Sequence, residues 1–170
     1  MQQQSPTDTT SQSASGRDGD EHFFASIPVP ARWFGLTGAI PFVGLSIGGA
    51  FLSAAHQSLA YFTLVAYGAV ILSFLGGVHW GRAIKAFDQG AIADKFLWVS
   101  LGISVVPSLI GWLTLLVPMV IGLPVLAASF AAMLLIDLQT VKGGQFPAWY
   151  GNLRVILSVI VIASLLFAWL

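Results

Sequence analysis

Five long apolar blocks alternate with short polar links from residue 33 to residue 170, and this alternation is the strongest signal in the sequence. The blocks run over about 33–52, 59–81, 96–116, 118–138 and 153–170. Each is close to the roughly 20 residues that cross a hydrocarbon core of about 30 Å as a helix. The third and fourth come from one apolar stretch, Phe96 to Ile136, twice the length of a crossing. Pro118 divides it, because a residue without an N–H fits the first turn of a new helix. The pattern predicts an all-α integral membrane protein, a five-helix bundle over residues 31–170. Residues 1–30 have another character: "MQQQSPTDTTSQSASGRDGDEHF" has almost nothing to bury and predicts a disordered polar tail. No apolar run follows a basic start, so it does not read as a secretory signal. Asp8, Asp18, Asp20 and Glu21 against Arg17 make it a poor mitochondrial presequence. Of the links, "SAAHQS" is short, "RAIKAFDQGAIADK" at 82–95 has room for a short amphipathic helix at the interface, and "QTVKGGQFPAWYGN" fills 139–152.

Charge orients this bundle. With five crossings, the N-terminal segment, the 82–95 link and the 139–152 link share one side. Arg17, Arg32, Arg82, Lys85, Lys95, Lys142 and Arg154 all fall there and none on the other. The positive-inside rule then puts this side in the cytoplasm (or a matrix) and the C-terminus outside. Trp33, Trp80, Trp149 and Tyr150 fall at the same boundary, as interfacial anchors do. Composition agrees: 56% of residues are hydrophobic, 8% are charged and the mean hydropathy is +0.85, whereas soluble domains carry about 25% charged residues. The lipid bilayer is therefore the first partner. A formal net charge of zero gives no footing for nucleic acid, and the absence of cysteine excludes thiolate metal sites and disulfides.

The segment "LSFLGGVHWGRA" at 72–83 holds the densest candidate chemistry. Ala69, Ser73, Gly77 and Gly81 recur every fourth residue, with Gly76 beside them, and predict a small-residue face for close helix packing. His79 stands near the end of this span, and Asp137 is the one carboxylate at the edge of a span. The topology puts both at the depth of Arg82 and Arg154. The expectation is a polar cluster of His79, Arg82, Asp137 and Arg154 under the cytoplasmic links, either a clamp or a site for an anionic head group. His22 and His56 fall elsewhere, so paired-histidine haem and zinc sites are not expected. No HExxH, phosphate loop or nucleophile elbow is present, so no catalytic residue is assigned and no cofactor is indicated. Pro41, Pro107, Pro118 and Pro124 interrupt helical hydrogen bonding and are expected to bend the spans.

"PFVGL" at 41–45, "YGAVILSFLGGVHWG" at 67–81, Asp137 and "PAWYGNLRVILS" at 147–158 together resemble the membrane family designated domain of unknown function 3429. The resemblance covers about residues 31–170. It implies a small multi-helix protein of the bacterial inner membrane, or of the mitochondrial inner membrane in a eukaryote, and it implies no activity. It draws attention to Tyr67, Gly76, Gly77, His79, Trp80, Gly81, Asp137, Trp149, Tyr150 and Arg154. The expected function is non-enzymatic: organising or assembling a membrane complex with other membrane subunits. The alternative is a small binding or transport protein for an apolar or amphipathic ligand such as a quinone, lipid or tetrapyrrole.

Overall fold

The computed structural model describes residues 26–170, so most of the polar N-terminal tail lies outside the described residues. Five helices follow: α1 Val29–Ala50, α2 Ala54–Asp88, α3 Asp94–Thr114, α4 Met119–Lys142 and α5 Ala148–Trp169. All five are long and apolar enough to cross a membrane. Proline starts three of them, since Pro28, Pro118 and Pro147 each stand immediately before the first helical residue. Pro41, Pro107 and Pro124 are carried inside helices. A bilayer span tolerates them because neighbouring groups take up the freed carbonyls.

The boundaries depart from the hydropathy pattern at the basic end. α2 does not stop near residue 81 but continues through the 82–95 link to Asp88, so no separate interfacial helix forms there. At 1.5 Å per residue its length is roughly 52 Å, well beyond a hydrocarbon core. The reason is local: residues 82–89 contain no glycine or proline, and the stop comes only at Gly90, with φ of 67°. There the Ala91 N–H reaches the Ala86 carbonyl and the Gly90 N–H the Phe87 carbonyl, both at 2.9 Å. This left-handed glycine closure satisfies carbonyls that the helix end leaves open. Gly144, with φ of 70°, closes α4 in the same way through Gln145 N–H to Thr140 O at 3.1 Å. The predicted link 139–152 thereby shrinks to 143–147, and α1 starts at Val29, inside the predicted tail.

The helices form a closed bundle in which α1 packs on α2 and α5, α2 also on α3 and α4, and α4 on α3 and α5. Phe42, Leu64, Leu72, Leu126, Phe130 and Leu165 fill its centre. α2 and α3 meet through small residues. A Cβ added at Gly76 would stand 2.2 Å from the Ser104 carbonyl oxygen, and one at Gly111 would stand 3.0 Å from the Ala69 Cα. Such backbone approach gives van der Waals contact where lipid removes the hydrophobic incentive to associate. Ala69 and Gly76 are in this contact and Ser73 is half-buried, but Gly77 and Gly81 are exposed with nothing within 4 Å. A strict four-residue spacing drifts by roughly 40° per step around a helix of 3.6 residues per turn. By Gly81 the stripe has turned away. The buried face instead alternates steps of four and three residues, from Val65 through Ala69, Leu72, Gly76 and His79 to Ala83.

Candidate functional site

Three core stripes each carry one ionisable residue at the same level. On α4 the buried series Leu126, Phe130, Met133 leads to Asp137 and then Thr140; on α2 Leu72 and Gly76 lead to His79; on α5 Arg154 precedes Ser158, Val161 and Leu165. The spacing of three and four residues that directs the apolar side chains inward directs these inward too. His79 is 2% exposed, Asp137 0% and Arg154 5%.

Asp137 is the hub. Its Oδ1 lies 2.8 Å from His79 Nε2, and its Oδ2 accepts from Arg154 Nε at 2.5 Å. The Tyr150 hydroxyl stands 3.4 Å from Oδ1, a much weaker contact. A carboxylate has two oxygens and several lone pairs, so it can hold an imidazole N–H and a guanidinium N–H at once. The guanidinium is always charged, and an ionised Asp137 cancels that charge inside the bundle. With Nε2 committed to Asp137, the second ring nitrogen of His79, Nδ1, is the one left for another partner.

Arg82, placed with these three by the topology, does not touch Asp137. It sits one helical turn beyond His79, and its Nη1 donates to the side-chain oxygen of Gln145. Its Nε is buried without a partner. Phe146, next in the short α4–α5 link, lies edge-on to His79 with ring centroids 5.6 Å apart, and also packs on Tyr150 at 4.6 Å. The Arg82 guanidinium carbon stands 5.9 Å from the centre of the same ring. Gln145 and Phe146 thus belong to the site although hydropathy gave no reason to single them out. The signal in the sequence is "GGQFP", which fixes two residues between a left-handed glycine and a helix-starting proline. Of the expected interfacial anchors, Trp33 and Trp80 face outward, Trp149 is half-buried, and Tyr150 turns in toward Asp137.

Two adjoining spaces lie on the α3 side of the bundle, and His79 lines one of them. A polar pocket of about 270 Å³ is lined by His79, Arg82, Ser100, Gln139, Thr140 and Gln145, together with Ile103 and Ile136. Those two isoleucines also line an apolar groove of about 870 Å³ between α3 and α4. On the other side, Arg154 and Ser158 border a cleft of about 130 Å³ against α1 and α2.

A multi-pass membrane protein, five apolar helices around an ion-paired cluster near its basic end, is the class these features define. The chain belongs to the family described as Protein of unknown function (DUF3429), whose model matches residues 27–170. Transmembrane protein 69 of Xenopus tropicalis is 37% identical over 147 residues, covering 81% of this chain and 53% of its own length. Transmembrane protein 69 of Mus musculus is 26% identical over 146 residues, covering 81% and 54%. This chain therefore spans about half the length of the curated relatives it matches. No solved structure matches it.

Proposed function

We propose that the chain binds an amphipathic molecule drawn from the bilayer, holding an acidic head beside His79 and Arg82 and an apolar tail along the α3–α4 groove. One observation carries this reading: the polar pocket and the apolar groove share Ile103 and Ile136 as walls, so head and tail sites adjoin. Charge supports it. Among the described residues Arg82 has no carboxylate partner, only the neutral Gln145, and its Nε is buried and unbonded. An anionic head supplies the missing acceptor, and charge-assisted bonds of this kind are roughly twice as strong as neutral ones. The role is binding or carriage, without chemistry of its own. The basic end faces the cytoplasm of a bacterial inner membrane, following the asymmetry of Arg32, Arg82, Lys85, Lys95 and Lys142.

Native mass spectrometry of the protein in mild detergent tests the reading. Wild type should retain an anionic lipid, and Arg82→Gln and the groove-filling Ala132→Trp should each lose most of it. A bare wild-type protein, or a bound mass indifferent to both changes, refutes it.

Organisation of a larger membrane complex is the second reading. Gly44 with Gly48, and Gly77 with Gly81, are exposed pairs four residues apart with no side chain packed over them. Such pairs admit a second helix at close range. Crosslinking in native membranes from Gly48→Cys should then trap a defined neighbour; an uncrosslinked monomer speaks against it.

A further inference from the structure

We infer that the cleft between α1, α2 and α5 is a separate site for the head ring of a membrane quinone. This rests on different residues from the α3–α4 pocket. Two buried polar atoms at its wall have no partner: Arg154 Nη2 and Ser158 Oγ. They stand one turn apart on the same face of α5. Ser158 is an exception among the buried hydroxyls. Ser46, Ser104, Thr114, Thr140 and Ser164 each donate to a carbonyl of their own helix, and Ser158 does not.

The chemistry of the missing partner follows from the two groups. Guanidinium nitrogen only donates, and a serine hydroxyl can donate, so the occupant must bring an acceptor that takes two bonds. The charge of Arg154 is already met by Asp137 at 2.5 Å. A neutral acceptor therefore fits better than a second anion, and a carbonyl oxygen is one. The remaining walls choose the frame that carries it. Phe34, Phe42, Phe74 and Phe130 supply aromatic faces, while Gly35 and Gly38 leave the α1 side flat. The volume, about 130 Å³, is close to that of an apolar cavity of roughly 150 Å³ that takes one benzene ring. Phe34 is 81% and Phe74 66% exposed, so the mouth opens on the lipid-facing surface, where an isoprenoid tail can leave. A carbonyl on a flat ring with an apolar tail is the chemistry of a quinone.

The test uses the full chain in nanodiscs of quinone-free phospholipid, titrated with decyl-ubiquinone and followed calorimetrically. Lipid ester carbonyls are then present in excess, so only a site that prefers the ring gives saturable binding. Ser158→Ala should weaken binding roughly tenfold, equivalent to about 1.4 kcal/mol, while raising the unliganded melting temperature because an unsatisfied buried hydroxyl is removed. Gly38→Leu has room for its Cβ, the nearest atom being the Tyr67 hydroxyl at 3.9 Å, and should fill the cleft and abolish binding. Arg82→Gln should leave binding unchanged, which separates this site from the α3–α4 pocket. The inference is overturned by unsaturable binding to wild type, or by either Ser158→Ala or Gly38→Leu binding as wild type does.

Discussion

Asp137→Asn isolates the ion-paired cluster with the smallest change of shape. The amide keeps one oxygen and replaces the other with an N–H₂ group. His79 Nε2 and Arg154 Nε stand 2.8 and 2.5 Å from the two carboxylate oxygens, so one of them would face a donor instead of an acceptor. The charge lost is the larger effect, since Arg154 then keeps an uncompensated charge at 5% exposure. Two unit charges about 4 Å apart interact by roughly 4 kcal/mol at an effective dielectric of 20. Removing one member of a buried pair costs about 3–5 kcal/mol. The two routes agree, and predict a loss of about 3–5 kcal/mol, roughly two to four decades in the folding equilibrium. The assay is reversible unfolding by steric trapping in bicelles, run as a cycle with Arg154→Met and the double variant. The double variant should recover most of the loss, because with methionine at 154 no uncompensated charge is left inside the bundle. Exchange of the two residues should restore less, since an arginine at 137 would then face His79. A loss near 0.6 kcal/mol, the average for a hydrogen bond between membrane helices, would refute the argument. It would mean the pair is solvated or never carries full charge.

Packing and topology give sharper local tests. Gly76→Ala drives a Cβ to 2.2 Å from the Ser104 carbonyl oxygen, so α2 and α3 must separate, at about 1–3 kcal/mol in the same unfolding assay. Gly77→Ala and Gly81→Ala meet nothing within 4 Å and should be neutral or stabilising by up to about 1 kcal/mol; a loss as large as that of Gly76→Ala would show the packing face has been misplaced. Tyr67→Phe removes the bond from the Tyr67 hydroxyl to the Gly38 carbonyl at 2.9 Å and should cost about 0.5–1.5 kcal/mol, seen as a lower melting temperature. The chain has no cysteine, so Gln89→Cys and Ser53→Cys report topology directly. An impermeant thiol reagent added outside cells should label position 53 and spare position 89; the reverse pattern would invert the orientation.

Number and order of the helices were legible because hydropathy over 20 residues is a summed signal that one residue barely changes. Their ends were not, since an end is decided by single residues. Arg82, Lys85 and Asp88 read as a polar link, yet nothing between 82 and 89 breaks a helix, and α2 runs on to its stop at Gly90. The grouping of His79, Asp137 and Arg154 at one depth was legible from topology, because each lies a fixed distance from the same membrane boundary. Which of them touch was not, because that depends on rotation about each helix axis. Arg82 is only three residues from His79, yet it faces Gln145 rather than Asp137. The small-residue stripe shows the same limit in another form. Counting every fourth residue loses the face within three turns, and only the carbonyl of Ser104 shows that Gly76 is the position where no side chain fits. The cavities were beyond the sequence for the same reason, each being defined by three or four helices at once.

Stability alone does not account for a carboxylate at position 137. Apolar side chains of similar volume commonly match or exceed a buried ion pair in stability, and the stripe of Leu126, Phe130 and Met133 could lead to a leucine without disturbing its period. What leucine cannot do is hold two polar side chains at two different walls. His79, fixed by Oδ1, lines the pocket beside α3, and Arg154, fixed by Oδ2, lines the cleft beside α1. One carboxylate therefore orients a donor or acceptor toward each cavity from inside the bundle, and its charge allows the guanidinium to remain there. Asparagine could accept from Arg154 and donate to His79 Nε2 only with the imidazole proton moved to Nδ1, and it brings no charge to hold the guanidinium in place. Of the residues that fit this volume, aspartate alone supplies both oxygens and the charge.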